Sequence, residues 1–386
     1  MKTLIELWDE RPIENVLAAE MFRPEEVIYV CPPEKAADRE WRATTKDYFR
    51  HRGVKVDVSF VPVSLLDALK IRRVLRDILE EHPDAAIDIS GGTDATLFAA
   101  GAAAGETPVI TYSHKRNMFF EIQNAPFARS LPCTVRLDAA SCFLMAGGVL
   151  LPGREDNKVL RHRLPEITRA FAIYSAHRVE WERQVKAIQR ISSASDPELK
   201  AEGPRTVKID NGQASISGTF LLDLSDAGLI RDLVLTEETV SFFFADETVR
   251  FWLRDVGAVL ELAVYSACIE ADCFDDVVLS AVVNWRSRDE KRDTVTNEID
   301  VMAVRGVQPM FISCKTCEIR TEALNELAIL RDRFGGEDSR AMIVTSAGST
   351  RGASAMRKRA AALGIEVVDW SDLSAGRLVG MLREKA

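Results

Sequence analysis

The 386-residue chain has no apolar run approaching the ~20 residues a bilayer-crossing helix requires. Its first residues, MKTLIELWDERP, lack the basic, apolar and small-residue succession of a secretory signal. Together these absences point to a cytoplasmic protein. The seven cysteines form no even, closely spaced framework, which argues against a disulfide scaffold and fits a reducing compartment. Cys314 and Cys317 make a C-x-x-C pair, but Cys268 and Cys273 upstream are spaced wrongly for a zinc ribbon, and Cys314 is expected in the core. Positive charge is also in short supply. A net charge of −9 is the wrong sign for coating nucleic acid non-specifically, so any such contact must use local basic patches or await a switch. No heptad, solenoid repeat or low-complexity tract is apparent. What remains is an ordinary globular composition, 47% hydrophobic and 28% charged, long enough for two or three domains.

The first ~150 residues alternate strand and helix, which predicts a doubly wound, largely parallel, Rossmann-like α/β sheet. Strands are expected at Glu26–Cys31, Val54–Val63, Ala85–Ser90 and Pro108–Ser113. Helices are expected over Lys35–Arg52, from a Ser64 cap to about Glu81, and over Asp94–Ala104. Ligands of such sheets sit at the carboxyl ends of strands. Two segments stand there. Leu7–Asn15, after the apolar Leu4–Ile5, offers Trp8, Asp9, Arg11 and Asn15, although alone it reads equally as a capped helix start. Ser90–Gly91–Gly92–Thr93 ends a strand and opens a helix at Asp94, so glycine amides and a helix N-terminus can cradle a phosphate. The pattern is not G-x-G-x-x-G and its βαβ unit is not the first, which argues against a dinucleotide. A tight turn alone explains the glycines but not the neighbouring hydroxyls.

Residues 151–245 read as a connector. Arg154–Ala194 is charged and helical, and turns are expected at Glu202–Gly203–Pro204 and Asp210–Asn211–Gly212. A hairpin over Val207–Ile216, a helix over Leu221–Val234 and a strand over Thr239–Phe244 complete it. That order is compatible with a small winged-helix-like module, and a spacer positioning the two ends is the better reading.

Residues 246–386 hold the candidate chemistry. Asn297–Thr316 reads as two short strands joined at Arg305–Gly306. Side chains alternate across a strand, so Glu298 and Asp300 share one face, and Ser313 and Lys315 share another that a hairpin can bring beside it. Upstream, Glu261 lies in the apolar helical run Phe251–Ala267, where an inward carboxylate is costly without a partner. Carboxylates that hold a divalent metal, beside a cation for the attacking water or the phosphate, are what phosphodiester hydrolysis needs. The bland alternative is a half-buried hairpin with a salt bridge. Downstream, helices are expected over Ile319–Phe334 and Arg351–Leu363, strands over Ala341–Thr345 and Ile365–Val368, and a last helix follows. Basic clusters at Arg286–Arg292 and Arg357–Arg359 are candidate phosphate contacts.

The order helix–carboxylate, strand, strand–carboxylate, strand–lysine, helix resembles the PD-(D/E)xK nuclease core, with Glu261, Asp300 and Lys315 at its metal and catalytic positions. The carboxylate usual two residues before the lysine is Ser313 here, so the resemblance leaves Glu298, or the Cys314 carbonyl, to complete the metal shell. Met1–Leu150 resembles the CARF domain, the cyclic oligoadenylate sensor of type III CRISPR defence, on its polar loop and its Ser90–Thr93 motif. Asp94 replaces a lysine found in many relatives, so an anionic ligand would lean on backbone amides, Arg11, and Lys115 and Arg116 after Ser113. A CARF-like sensor fused to a PD-(D/E)xK-like effector is similar to the single-chain CRISPR ancillary nucleases. That resemblance implies cyclic tetra-adenylate as activator, a homodimer, Mn²⁺ or Mg²⁺, and nicking of DNA, with RNA as a second candidate substrate. The rival reading is a non-catalytic, nucleotide-responsive regulatory or nucleic-acid-binding protein whose nuclease core has decayed, which Ser313 favours.

Overall fold

The apolar strand TLIEL starts the chain as β1 (Thr3–Leu7), every residue of it buried, as a central strand demands. The computed structural model describes residues 1–153, 156–210, 212–285, 295–336, 339–348, 353–374 and 376–385. The basic cluster expected at Arg286–Arg292 lies outside them, as do Asn211 of the expected turn and Arg154 and Arg351, the first residues of two expected helical stretches.

Around β1 the amino-terminal sheet adds β2 (Glu26–Cys31), β3 (Asp57–Pro62), β4 (Ala86–Asp88) and β5 (Val109–Ser113), all parallel. It is closed by an antiparallel extension, β6 (Met118–Gln123) and β7 (Leu131–Pro132), giving the order β3-β2-β1-β4-β5-β6-β7. Its helices are α1 (Leu17–Phe22), α2 (Pro33–Ala37), α3 (Arg39–His51), α4 (Ala68–Glu81), α5 (Asp94–Ala103) and α6 (Ala139–Met145). The single helix expected over Lys35–Arg52 is two, because the Asp38 carboxylate accepts the Glu40 and Trp41 amides and caps α3. Likewise α4 is capped by Asp67 through the Lys70 amide rather than by Ser64.

Next, β8 (Val149–Leu150) leaves the amino-terminal sheet and pairs with the carboxy-terminal one. The expected domain boundary thus falls where the first half is already stitched to the last. Helices α7 (Asn157–His162), α8 (Leu164–Ala176) and α9 (Trp181–Ile191) follow. Strand β9 (Lys200–Pro204) occupies the expected Glu202–Gly203–Pro204 turn. Gly203 is needed there because a Cβ would stand 2.8 Å from Ile191 Cγ2, so it marks close packing rather than a reversal. The expected hairpin forms as β10 (Thr206–Ile209) and β11 (Gly212–Ser215). The helix expected over Leu221–Val234 is instead α10 (Gly218–Asp226) followed by β12 (Ile230–Leu235); Gly228, at φ 71, ends the helical path between them. Strand β13 (Thr239–Phe244) pairs with both β12 and β9.

After α11 (Glu247–Trp252) and α12 (Ala258–Ala271), the carboxy-terminal sheet is built from β14 (Asp276–Asn284), β15 (Thr296–Arg305), β16 (Gln308–Lys315), β17 (Arg340–Thr345) and β18 (Ile365–Val368). Its order is β18-β17-β16-β15-β14-β8, an antiparallel meander continued by parallel strands. The core on the α12 face takes Val301, Ala303 and Ile312, while Met302, Val304 and Phe311 pack on the other face with α13 (Thr321–Phe334). Helices α14 (Ala353–Ala362), α15 (Trp370–Ser374) and α16 (Leu378–Lys385) complete the chain.

Candidate active site and candidate ligand loops

The expected hairpin forms, with Gly306 at φ 57 in its turn. It brings the predicted residues together. Asp300 Oδ2 accepts the Ser313 hydroxyl at 3.1 Å and the Cys314 amide at 2.5 Å, and Lys315 Nζ stands 3.5 Å from it. All three converge on that one oxygen. Cys314 therefore enters the site through its amide, while its thiol is buried and pushed well up in pKa by burial and by Asp300 and Glu261. Glu261, on the first turn of α12, shares a cavity of about 370 Å³ with Asp255, Glu298, Asp300 and Ser280. Burial, then the charges of Asp300, Asp255 and Glu298, raise its pKa to about 8, against a smaller opposing pull from Lys315.

Two residues of this cavity were not anticipated. The Asp255 carboxylate accepts the Gly257 and Ala258 amides and so opens α12. Ser280 has a left-handed φ of 51, which a non-glycine residue adopts only under constraint. Leu279 packs in the α12-side core and Ala281 in the opposite one, so the two-residue alternation of β14 breaks at Ser280. On β15 the same break falls at Asp300, between Ile299 and Val301, which are the register partners of Ala281 and Leu279. This paired kink turns Asp300 toward Glu261. An inward polar residue in the otherwise apolar Val277–Val283 was the available signal for Ser280.

Among the described residues no three His, Cys, Asp or Glu side chains stand close enough to hold a metal ion as they are. The donor chemistry nevertheless fits a divalent cation. Four carboxylates face one cavity, and burial, then the charges of the other three, push Glu261 toward its neutral form. Glu298 is on the exposed rim, and Ser313 is committed to Asp300 as a donor.

In the amino-terminal sheet the two loops meet, but through their own bonds. Asp9 Oδ2 accepts the Gly92 amide at 2.8 Å, and Asp9 Oδ1 accepts the Arg11 amide and Nε. Burial opposes ionisation of Asp9, yet these bonds outweigh it and lower its pKa. Asn15 bonds the Asp9 backbone in both directions. Ser90 donates its amide and hydroxyl to Asp88, and its Oγ accepts the Tyr112 amide. Thr93 caps α5. An anion cradled at this turn would have to compete with Asp9 for the Gly92 amide. The glycines are required by packing: a Cβ on Gly91 would lie 2.8 Å from Asp9 Cβ, and one on Gly92, at φ 106, 2.6 Å from Thr96 Oγ1. Asp94, exposed, begins α5; Trp8 lies under Lys35 Nζ at 5.7 Å. Ser113 ends β5, and Lys115 is exposed on the turn His114–Arg116, where His114 Nε2 pairs with Glu14 at 2.6 Å. Sequence reasoning missed the buried acids beneath: Glu6 and Asp88, register partners on β1 and β4, and Glu14. Burial raises Asp88 to about 7 and Glu6 well above its ordinary value, so the pair favours holding a proton. A lone acid inside each apolar strand was the signal.

Residues 245–386 match the family model described as Card1-like, endonuclease domain. No curated protein matches the sequence. Among solved structures, protein VC1899 from Vibrio cholerae superposes with a TM-score of 0.77 at 18% identity, covering 100% of this chain and 98% of that one. Can2 from Sulfobacillus thermosulfidooxidans, solved in complex with cyclic tetra-adenylate, gives 0.71 at 17% identity, covering 98% and 99%. A type III CRISPR defence DNA nuclease activated by cyclic oligoadenylate gives 0.50 at 16%, covering 90% of this chain and 46% of that one. Residues 245–386 are thus similar to the Card1-like endonuclease domain, and over its whole length the chain shares its fold with VC1899 and Can2.

Proposed function

We propose that the protein is a metal-dependent endonuclease, switched on by cyclic tetra-adenylate, that nicks DNA in type III CRISPR defence. The carrying observation is the Glu261–Asp300–Lys315 constellation inside the part that matches an endonuclease family. Glu261 and Asp300, with Glu298 at the rim, would hold Mn²⁺ or Mg²⁺, which would supply a Lewis acid for the phosphate and its attacking water. Lys315 would stabilise charge on the phosphate or orient the water, and Ser313 and the Cys314 amide fix Asp300. RNA remains a second candidate substrate. The activator would bind at the carboxyl ends of β1 and β4, in a homodimer whose two-fold axis matches that of the cyclic ligand.

The experiment is plasmid nicking with Mn²⁺, with and without cyclic oligoadenylates of several ring sizes. Asp300→Asn or Lys315→Ala should cut the rate by at least about a hundredfold while leaving folding and activator binding intact. Cleavage at the wild-type rate by either variant removes the assignment. One observation favours the non-catalytic alternative: Ser313 stands where a second hairpin carboxylate would sit. Absence of cleavage by wild type under every activator and metal would establish it.

A further inference from the structure

The segment expected to be a spacer grips the candidate active site from two sides. On one side, Trp181 Nε1, at the start of α9, donates to the Val256 carbonyl at 3.1 Å, and Gln189 donates to the Arg254 carbonyl. Val256 lies in the loop that opens α12, between Asp255 and Gly257. Glu261 packs directly on that loop: a Cβ on Gly257 would stand 2.8 Å from Glu261 Oε1. On the other side, Arg178 Nη1, in the turn between α8 and α9, donates to the Ser346 carbonyl at 2.8 Å. The Tyr174 ring meets that of Trp370 edge to face at 6.3 Å. The Ser346 amide in turn donates to the Lys315 carbonyl at 3.0 Å, and its hydroxyl to the Thr316 carbonyl at 3.4 Å.

These contacts are rigid ones. Tyr174 and Trp181 are 1% and 2% exposed and meet edge to face at 5.0 Å, so the two grips share one aromatic core. The Arg178 guanidinium lies 4.8 Å over the Trp370 ring, which fixes the direction of its donors. A buried carbonyl that loses its donor costs more than an exposed one, so the part-buried bonds to the Ser346 and Val256 carbonyls resist displacement of the loops they hold.

We propose that the α8–α9 hairpin is a clamp that sets the spacing between Glu261 and Lys315, with Arg178 and Trp181 as positioning residues. The proposal rests on the nuclease reading for its catalytic consequence, but not for its geometry. A small misplacement of a metal-holding carboxylate against a catalytic lysine is expensive in rate, because catalysis depends on pre-set geometry. The effect therefore belongs in kcat, not in binding of nucleic acid or activator.

The test compares wild type with Arg178→Met, which keeps the stem over Trp370 but loses the donors, and with Arg178→Lys, which restores a donor and the charge. Nicking kinetics and amide hydrogen exchange over residues 340–348 and 254–258 are measured on each full-length protein. Arg178→Met should lower kcat about tenfold with KM unchanged, and should speed exchange at the Ser346 amide by a similar factor. Arg178→Lys should recover most of both. Trp181→Phe should do the same to kcat while speeding exchange over residues 254–258. Wild-type kcat in Arg178→Met, or a change confined to KM, overturns the clamp. If wild type cleaves nothing, the nuclease reading fails by itself; the exchange data then decide the clamp, which unchanged protection in Arg178→Met overturns.

Discussion

Glu261 concentrates the energetics of the site in one side chain. Its carboxyl ionises at about 8 rather than near the ordinary 4.5, because burial and three neighbouring carboxylates penalise the charge. A group whose folded pKa is raised stabilises the fold fully below its unfolded pKa, and that contribution is lost as pH rises through the folded value. The metal-free protein should therefore lose roughly 3 kcal/mol from this residue between about pH 5 and pH 8. Glu261→Gln should flatten that part of the profile, leaving the contribution of Glu6 and Asp88, which has the same sign. Urea unfolding in EDTA at several pH values measures it, and identical slopes in both proteins would mean the Glu261 charge is not penalised. The same penalty makes a divalent cation welcome there, since its charge offsets what the other carboxylates impose. Ser313 fits this view: a fifth carboxylate, on β16, would raise the repulsion, whereas a hydroxyl donates to Asp300.

At the scale of elements, the hairpin was legible because apolar residues alternate on both sides of Arg305–Gly306, and the parallel strands were legible as short apolar runs between helix caps. The paired kink at Ser280 and Asp300 was not, since a non-glycine residue at φ 51 leaves no mark in residue type. Glycine misled in both directions: Gly203 looked like a turn and lies in a strand, whereas the Leu221–Val234 run looked continuous and breaks at Gly228. Nor could the sequence show that the Gly92 amide is bonded by Asp9, 83 residues earlier. That bond changes what a Gly92 variant reports. Gly92→Val forces a Cβ against Thr96 and Leu7 at a left-handed φ, and should cost about 1–3 kcal/mol of stability in addition to any loss of activator binding. Lys115 is exposed on the turn after β5, whose Tyr112 amide bonds Ser90 and whose His114 reaches Glu14. Lys115→Ala should therefore weaken cyclic tetra-adenylate binding several-fold while unfolding stays as in wild type, which calorimetry and urea titration separate. Unchanged affinity in Lys115→Ala would move the anion contact elsewhere.

At the scale of the whole molecule, the two sheets are joined rather than merely tethered. Phe143 of α6 meets Phe334 of α13 edge to face at 5.3 Å, and β8 extends the carboxy-terminal sheet. A displacement in the amino-terminal half would thus reach the other half through packed side chains rather than a loose linker. Among the described residues the opposite side of that half has no such cover. Helices α4 and α5 pack on one another, yet Phe98 on α5 is 73% exposed, and Leu66, just before α4, and Leu69, in its first turn, are 95% and 69% exposed. Helix α5, DATLFAAGAA, carries apolar residues nearly all round, a composition suited to burial on more than one side. A second copy is the occupant that the proposed activation requires, because a two-fold axis there would set two copies of the β1 and β4 ends around one cyclic ligand. Phe98→Asp should then shift the protein toward monomer in sedimentation at micromolar concentration, and should reduce cyclic tetra-adenylate activation in proportion to the dimer lost. Its exposure makes the substitution harmless to the fold of the isolated chain, so the unfolding midpoint extrapolated to low protein concentration should stay close to wild type. Dimerisation at wild-type strength in Phe98→Asp would place the seam on another face. A monomer that still responds fully to the activator would show that one subunit suffices to bind the ligand and to transmit its effect.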